Sequence, residues 1–232
     1  DTVGRNYRIP VIAASYGNPA RFSRAVPRVE IDMEKVMELA VRELRANGHK
    51  RLALAMPYPF RTMDVRRLAF CSLMEEVYGN RIKDYYIGIH REELPEDPRI
   101  LAFQEDEDRE SGMYLPEEDF FGKGELAAQL FAERKIDATA VVAFNDEFAL
   151  GMCKRFHALG IQVPRDISLI GIDGSSARKY RDPCLTSVGL FPEKQGARCV
   201  DTLLDMLEGK KVKYVSGSPI KLIKGDSVRK LE

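Results

Sequence analysis

The sequence predicts an α/β protein in which parallel sheets are flanked by helices, and three observations carry that prediction. Short apolar runs alternate with longer segments whose apolar residues recur every three or four positions. The short runs are nearly continuous in apolar residues, as strands covered on both faces are. Gly48, Gly160 and Gly209 each follow a helical segment, where a left-handed stop belongs. In such sheets ligands bind beyond the carboxyl ends of the strands, which directs attention to the residues after Phe144, Ile172 and Val188.

Taken in order, Ile9 to Ala14 reads as a buried strand, and Asp32 as the N-cap of a helix carrying Val36, Ala40 and Leu44. Arg51 to Met56 is the next strand. Val65, Ala69, Leu73 and Val77 mark a helix at spacing four, and Tyr85 to Ile89 a strand. A helix with Leu126, Leu130 and Phe131 precedes the strand Ala140 to Phe144. Phe148, Met152 and Phe156 define the helix after it. Ser168 to Ile172 and Leu185 to Val188 are strands, followed by a helix with Ala197, Val200, Leu204 and Leu207 and a last strand near Ile220 to Ile223. The stretch from Arg91 to Asp119 breaks the rhythm. It holds twelve acidic residues against three arginines and reads as a solvated excursion between a strand and a helix.

Composition excludes several classes of function. Of 232 residues, 44% are hydrophobic and 31% charged, an ordinary balance for a folded domain. Lys+Arg and Asp+Glu both number 36, so the chain has no global electrostatic footprint for nucleic acid, and DNA contact is local or lies outside it. No apolar run approaches the ~18–20 residues that span a bilayer, and Asp1 to Arg8 has no apolar signal core. Cysteines 71, 153, 184 and 199 form no CxxC pair and have no histidine at zinc-ligand spacing, so no metal is expected, and Cys71 and Cys153 read as small helical hydrophobes in a reducing cytoplasm. There is no GxSxG, HExxH or phosphate-loop motif; Gly122-Lys123-Gly124 is too short to count. None of the three histidines adjoins an obvious nucleophile, and His49 reads as part of a helix end. An enzyme is not expected, nor a cofactor.

The strand ends offer binding chemistry instead. Asn145-Asp146 opens a helix: one residue caps its N–H groups while the other projects into the cleft, or the pair serves capping alone. Asp173 begins Asp-Gly-Ser-Ser-Ala, where a carboxylate accepts two hydroxyl hydrogen bonds, as recognition of a polyol or sugar requires; simple turn formation is the other reading. Arg66-Arg67 lies at a helix start, which the helix dipole disfavours, so either Asp64 or a ligand compensates it.

Together these segments resemble the LacI/GalR family of bacterial transcription regulators. Gly48-His49-Lys50-Arg51-Leu52-Ala53 is similar to the family's "GH-R-I-A" turn, and Asn145-Asp146-Glu147-Phe148-Ala149-Leu150-Gly151 to "ND--A-G". Gly160 to Asp173 resembles "G--VP-DISV-GFD", and Pro183-Cys184-Leu185-Thr186-Ser187-Val188 resembles "P-LTTV". The resemblance runs from about Ile9 to about Val228.

It implies a periplasmic-binding-protein-like fold of two subdomains. The first is partial, 1–30 plus 189–213; the second spans 31–188 plus 214–228, with 229–232 as a tail. A small polar effector, a carbohydrate by family habit, is expected between them. The resemblance implies Arg67, Asn145, Asp173 and Ser15 as effector-binding positions. Ser15 stands where many members have Asp, and Leu190 where many have a polar residue. A homodimer is expected, in the cytoplasm, with operator DNA bound through a headpiece and further βα units absent from this sequence. The alternative is a solute-binding receptor feeding a sugar importer on the same fold; the "GH-R" and "VP-DIS" segments favour the regulator.

Overall fold

We describe the protein from a computed structural model, whose described residues are 9–16, 26–90, 119–180 and 182–231. Most of the acidic stretch (91–118) lies outside them.

The larger sheet forms around strands that are buried on both faces. All five residues of β3 (Leu52–Met56) and all four of β5 (Ala140–Ala143) are buried. They pair in parallel with each other, β3 also with β4 (Tyr86–Gly88) and β5 with β6 (Ser168–Asp173). β7 (Thr186–Gly189) continues the parallel set, and β9 (Lys221–Ile223) closes it antiparallel, giving the order β4-β3-β5-β6-β7-β9. The chain moves outward in opposite directions from β3 and β5, so a topological switch point lies between their carboxyl ends.

Helix α1 (Met33–Ala46) starts where Asp32 accepts from the Lys35 N–H at 3.1 Å and buries Val36, Met37, Ala40 and Leu44. At its end Gly48 takes φ +88°, which lets its N–H reach the Arg45 carbonyl and the His49 N–H reach Leu44. Helix α2 (Val65–Tyr78) packs against α1, and α3 (Phe120–Glu133) against α4 (Asp146–Ala158). A second sheet is small: β1 (Ala13–Ser15), β2 (Arg28–Glu30) and β8 (Val215–Gly217), all parallel, with α5 (Pro192–Leu207) on β1 and β2.

Four expectations change. The strand expected over Ile9 to Ala14 is Ala13–Ser15, and Ile9 is half exposed, because among the described residues β1 has a neighbour on one edge only. In α2 the buried residues are Arg66, Arg67, Ala69, Phe70, Met74 and Tyr78; of the expected series Ala69 is buried, Val65 and Leu73 pack half-buried against the core, and Val77 is exposed. Tyr78 sets the rotation of the helix: its hydroxyl accepts from the Leu52 N–H (2.6 Å) and donates to the Leu52 carbonyl (2.8 Å) in β3. In α5 the line Val200, Leu204, Leu207 faces solvent, and the buried residue is Gln195, whose amide donates to the Ser15 and Val29 carbonyls at 3.0 Å each. Val215–Gly217, grouped by sequence with the larger unit, pairs with β2 instead.

Candidate functional site

The carboxyl ends of β5 and β6 border a cavity of about 510 Å³ lined by Asn145, Asp146, Asp173, Ser175 and Tyr180 among others. Local folding divides the labour of the Asn-Asp pair. Asn145 is the N-cap of α4, its Oδ1 accepting from the Phe148 N–H at 2.8 Å. Asp146 turns the other way and is completely buried. Its Oδ1 accepts from the Ser187 hydroxyl and its Oδ2 from the Ser175 N–H, both at 2.6 Å. Ser187 Oγ in turn accepts from the Gly174 N–H at 3.0 Å. Gly171 in β6 makes room for this carboxylate, since a Cβ there would collide with Asp146 Oδ1.

The network clamps the turn that carries Asp173. This residue has φ +111°, a region that side chains rarely adopt and that persists where surrounding contacts enforce it. Its carboxyl opens to the cavity. Partial loss of hydration, then the neighbouring Asp146 charge, push its pKa up to about 7, and Arg66 opposes the rise. Burial likewise raises Asp146, against the hydrogen bonds from Ser187 and Ser175 that favour its charged form.

Of the sequence-predicted residues, Asn145 and Asp173 meet at this cavity; Arg67 and Ser15 are not among its lining residues. Arg67 is buried, with Nε donating to the Thr62 carbonyl at 3.0 Å and its guanidinium 4.9 Å from the Phe60 ring centre. Arg66 lies over Phe144 at 4.3 Å and pairs with Asp64 at 3.1 Å. Asp64 therefore does compensate the helix start, accepting also from the Arg66 N–H at 2.8 Å. Ser15 ends β1 with its hydroxyl buried and, among the described residues, without a hydrogen-bond partner.

Sequence reasoning left Ser175 and Ser187 out of the site. Only the small-residue run after Asp173 and the hydroxyl in Thr186-Ser187 hinted at them. His49 does more than end a helix: its ring lies 3.0 Å from both Thr139 Oγ1 and the Arg229 carbonyl, and burial lowers its pKa. The four cysteines are free and half-buried. Among the described residues no cluster could hold a metal ion, and no helix is long and apolar enough to cross a membrane.

Comparison with known proteins follows the same outline. A family described as periplasmic binding protein-like domain matches residues 41–228. The transcriptional regulator MalR of Streptomyces coelicolor is 31% identical over 183 residues, covering 79% of this chain and 46% of that protein. The repressor PurR of Vibrio vulnificus is 34% identical over 107 residues, covering 46% of this chain and 32% of that one. The chain thus spans less than half the length of these relatives. A LacI-family regulator from Enterococcus faecalis with bound ribose superposes with a TM-score of 0.70 at 22% identity, covering 100% of this chain and 74% of the other. A LacI-family regulator from Escherichia coli complexed with phosphate gives 0.66 at 23% identity, covering 88% and 64%.

Proposed function

The chain belongs to the periplasmic binding protein-like domain family, and on that premise we propose that it is the effector-sensing and dimerising part of a LacI/GalR-type transcription regulator. The observation that carries the reading is the cavity at the ends of β5 and β6, where Asp173 is held in a strained conformation with its carboxyl open to a ligand. A carboxylate in that position accepts two hydroxyl hydrogen bonds, and the amide of Asn145 beside it has donors left after capping. This suits a sugar or another small polar effector, and the ribose-bound neighbour supports it. Arg67 and Ser15 complete the effector set in this reading; the buried Ser15 hydroxyl gains a partner when a ligand hydroxyl reaches it.

The subdomain division is part of the proposal: 1–30 with 189–213 and β8 on one side, 31–188 with the segment from β9 to Val228 on the other. Effector binding changes the angle between the two, and hence the spacing of two DNA-binding headpieces in a cytoplasmic homodimer. The regulators among its relatives support this over the receptor reading.

The test is calorimetry with ribose as the first probe, at pH 8 or above, where Asp173 is ionised. Asp173→Ala removes a charge-assisted hydrogen bond worth roughly 1.5–3 kcal/mol, so affinity should fall about 10- to 150-fold with the circular dichroism spectrum unchanged. Equal affinity in the two proteins would remove Asp173 from the site.

A further inference from the structure

The turn after β6 separates two cavities of opposite character. Asp173, Ser175 and Ala177 line the first, and Gly174, Arg178 and Lys179 contribute to the second. The second has a volume of about 520 Å³ and adds Lys221 and Lys224 from the β9 side, with Phe191 as an apolar wall. No acidic side chain is among the described residues that line it. Lys224 is exposed but paired at the rim with Glu43 at 3.2 Å; Lys179 and Lys221 are exposed and, among the described residues, in no ion pair.

Arg178 adds an independent sign of the same kind. It is 7% exposed, yet its guanidinium donates to neutral acceptors, the Leu185 carbonyl at 3.1 Å and the Cys184 sulfur at 3.6 Å. The buried Asp146 carboxylate attracts this charge through space, but among the described residues no carboxylate forms an ion pair with Arg178. A buried cation without a carboxylate in contact is costly, and an anion beside it offsets that cost. The place matters as well. The chain leaves the larger sheet at Gly189 and re-enters it at Lys221, so Phe191 and Lys221 mark two passages between the sheets, and both border this cavity.

We propose that this second cavity binds a small phosphate monoester, its phosphate between Lys179 and Lys221 above Arg178 and its organic part against Phe191. The volume exceeds what a bare phosphate fills, and the apolar wall gives the remainder a surface. Such a ligand ties the turn after β6 to the passage into β9, and so acts on the relation between the two sheets. The proposal does not rest on the effector reading of Asp173.

Calorimetry at low ionic strength with ribose 5-phosphate, inorganic phosphate and ribose tests it. Ribose 5-phosphate should bind more tightly than inorganic phosphate, and added sodium chloride should weaken both. The double variant Lys179→Glu/Lys221→Glu, changed at two exposed positions, should weaken ribose 5-phosphate binding about tenfold or more. Saturating ribose should leave ribose 5-phosphate binding unchanged, which separates this cavity from the first whether or not ribose binds there; competition by ribose overturns the second site. Absence of binding by either anion, or equal affinity in the wild-type and charge-reversed proteins, overturns the site. Equal affinity for the two anions overturns the monoester assignment.

Discussion

Asp173 combines a backbone conformation that is costly for any side chain with a carboxyl that titrates near neutrality. The same neighbours bear on both: Asp146, Ser175 and Ser187 fix the turn, and Asp146 adds its negative charge to the loss of hydration that chiefly keeps Asp173 protonated to higher pH. The sign of the pH effect follows. A carboxyl raised to about 7 in the folded protein, from 3.8 when unfolded, contributes stability that is fully present below about pH 4 and is lost as pH rises through 7. Asp173→Asn has no such loss, and asparagine tolerates positive φ. Its melting temperature relative to wild type should therefore climb between pH 4 and pH 8 and level off above; a constant difference across that range would contradict the titration. The sequence placed a carboxylate at this strand end but could not divide the work of Asn145 and Asp146. That division depends on Ser187, which arrives 41 residues later in the chain.

At the scale of elements, the closest helix contact is built on two glycines. A Cβ on Gly124 in α3 would collide with the Phe148 carbonyl of α4, and one on Gly151 in α4 would collide with the Phe121 carbonyl of α3. Each helix therefore sets its backbone against the other's. Gly196 in α5 is different, since no atom lies within 4 Å of where its Cβ would be. Glycine-to-alanine changes should then have opposite signs. Gly196→Ala should stabilise by about 0.5–1 kcal/mol through the unfolded state. Gly151→Ala gains the same propensity but forces two backbones apart, with overpacking of about 1–3 kcal/mol, and should be net destabilising. Urea denaturation of both variants reads the two signs directly. The strands and most helices were legible from apolar period alone, because β3, β5 and β6 are covered on both faces and α4 buries Phe148, Met152 and Phe156 as their spacing predicts. Helix faces were less so. In α2 a tyrosine hydroxyl bound to the β3 backbone decides the rotation, and in α5 a glutamine does, and neither registers in an apolar pattern.

For the whole molecule, the same α5 shows where the fold's accounts differ between its two sheets. The six-stranded sheet lies within a continuous core that extends from Ile31 to Leu190. The three-stranded sheet is held by polar ties, Gln195 to two strand carbonyls and Arg198 to the Gly217 carbonyl, while Val200, Leu204, Leu207, Tyr214 and Val215 stand exposed. An apolar line at spacing three and four on one helix is the pattern of a face that packs against something. The relatives are more than twice as long as the stretch they share with this chain. Two regimes are then expected for Val200→Glu/Leu204→Glu. In this chain both positions are more than half exposed, so each change should alter stability by no more than about 0.5 kcal/mol and should reduce concentration-dependent scattering. In an assembly or a longer chain that covers this face, the same pair should cost several kcal/mol, because two buried aliphatic groups would be replaced by unpaired charges. Equal, small effects in both settings would mean that nothing packs on this face of α5.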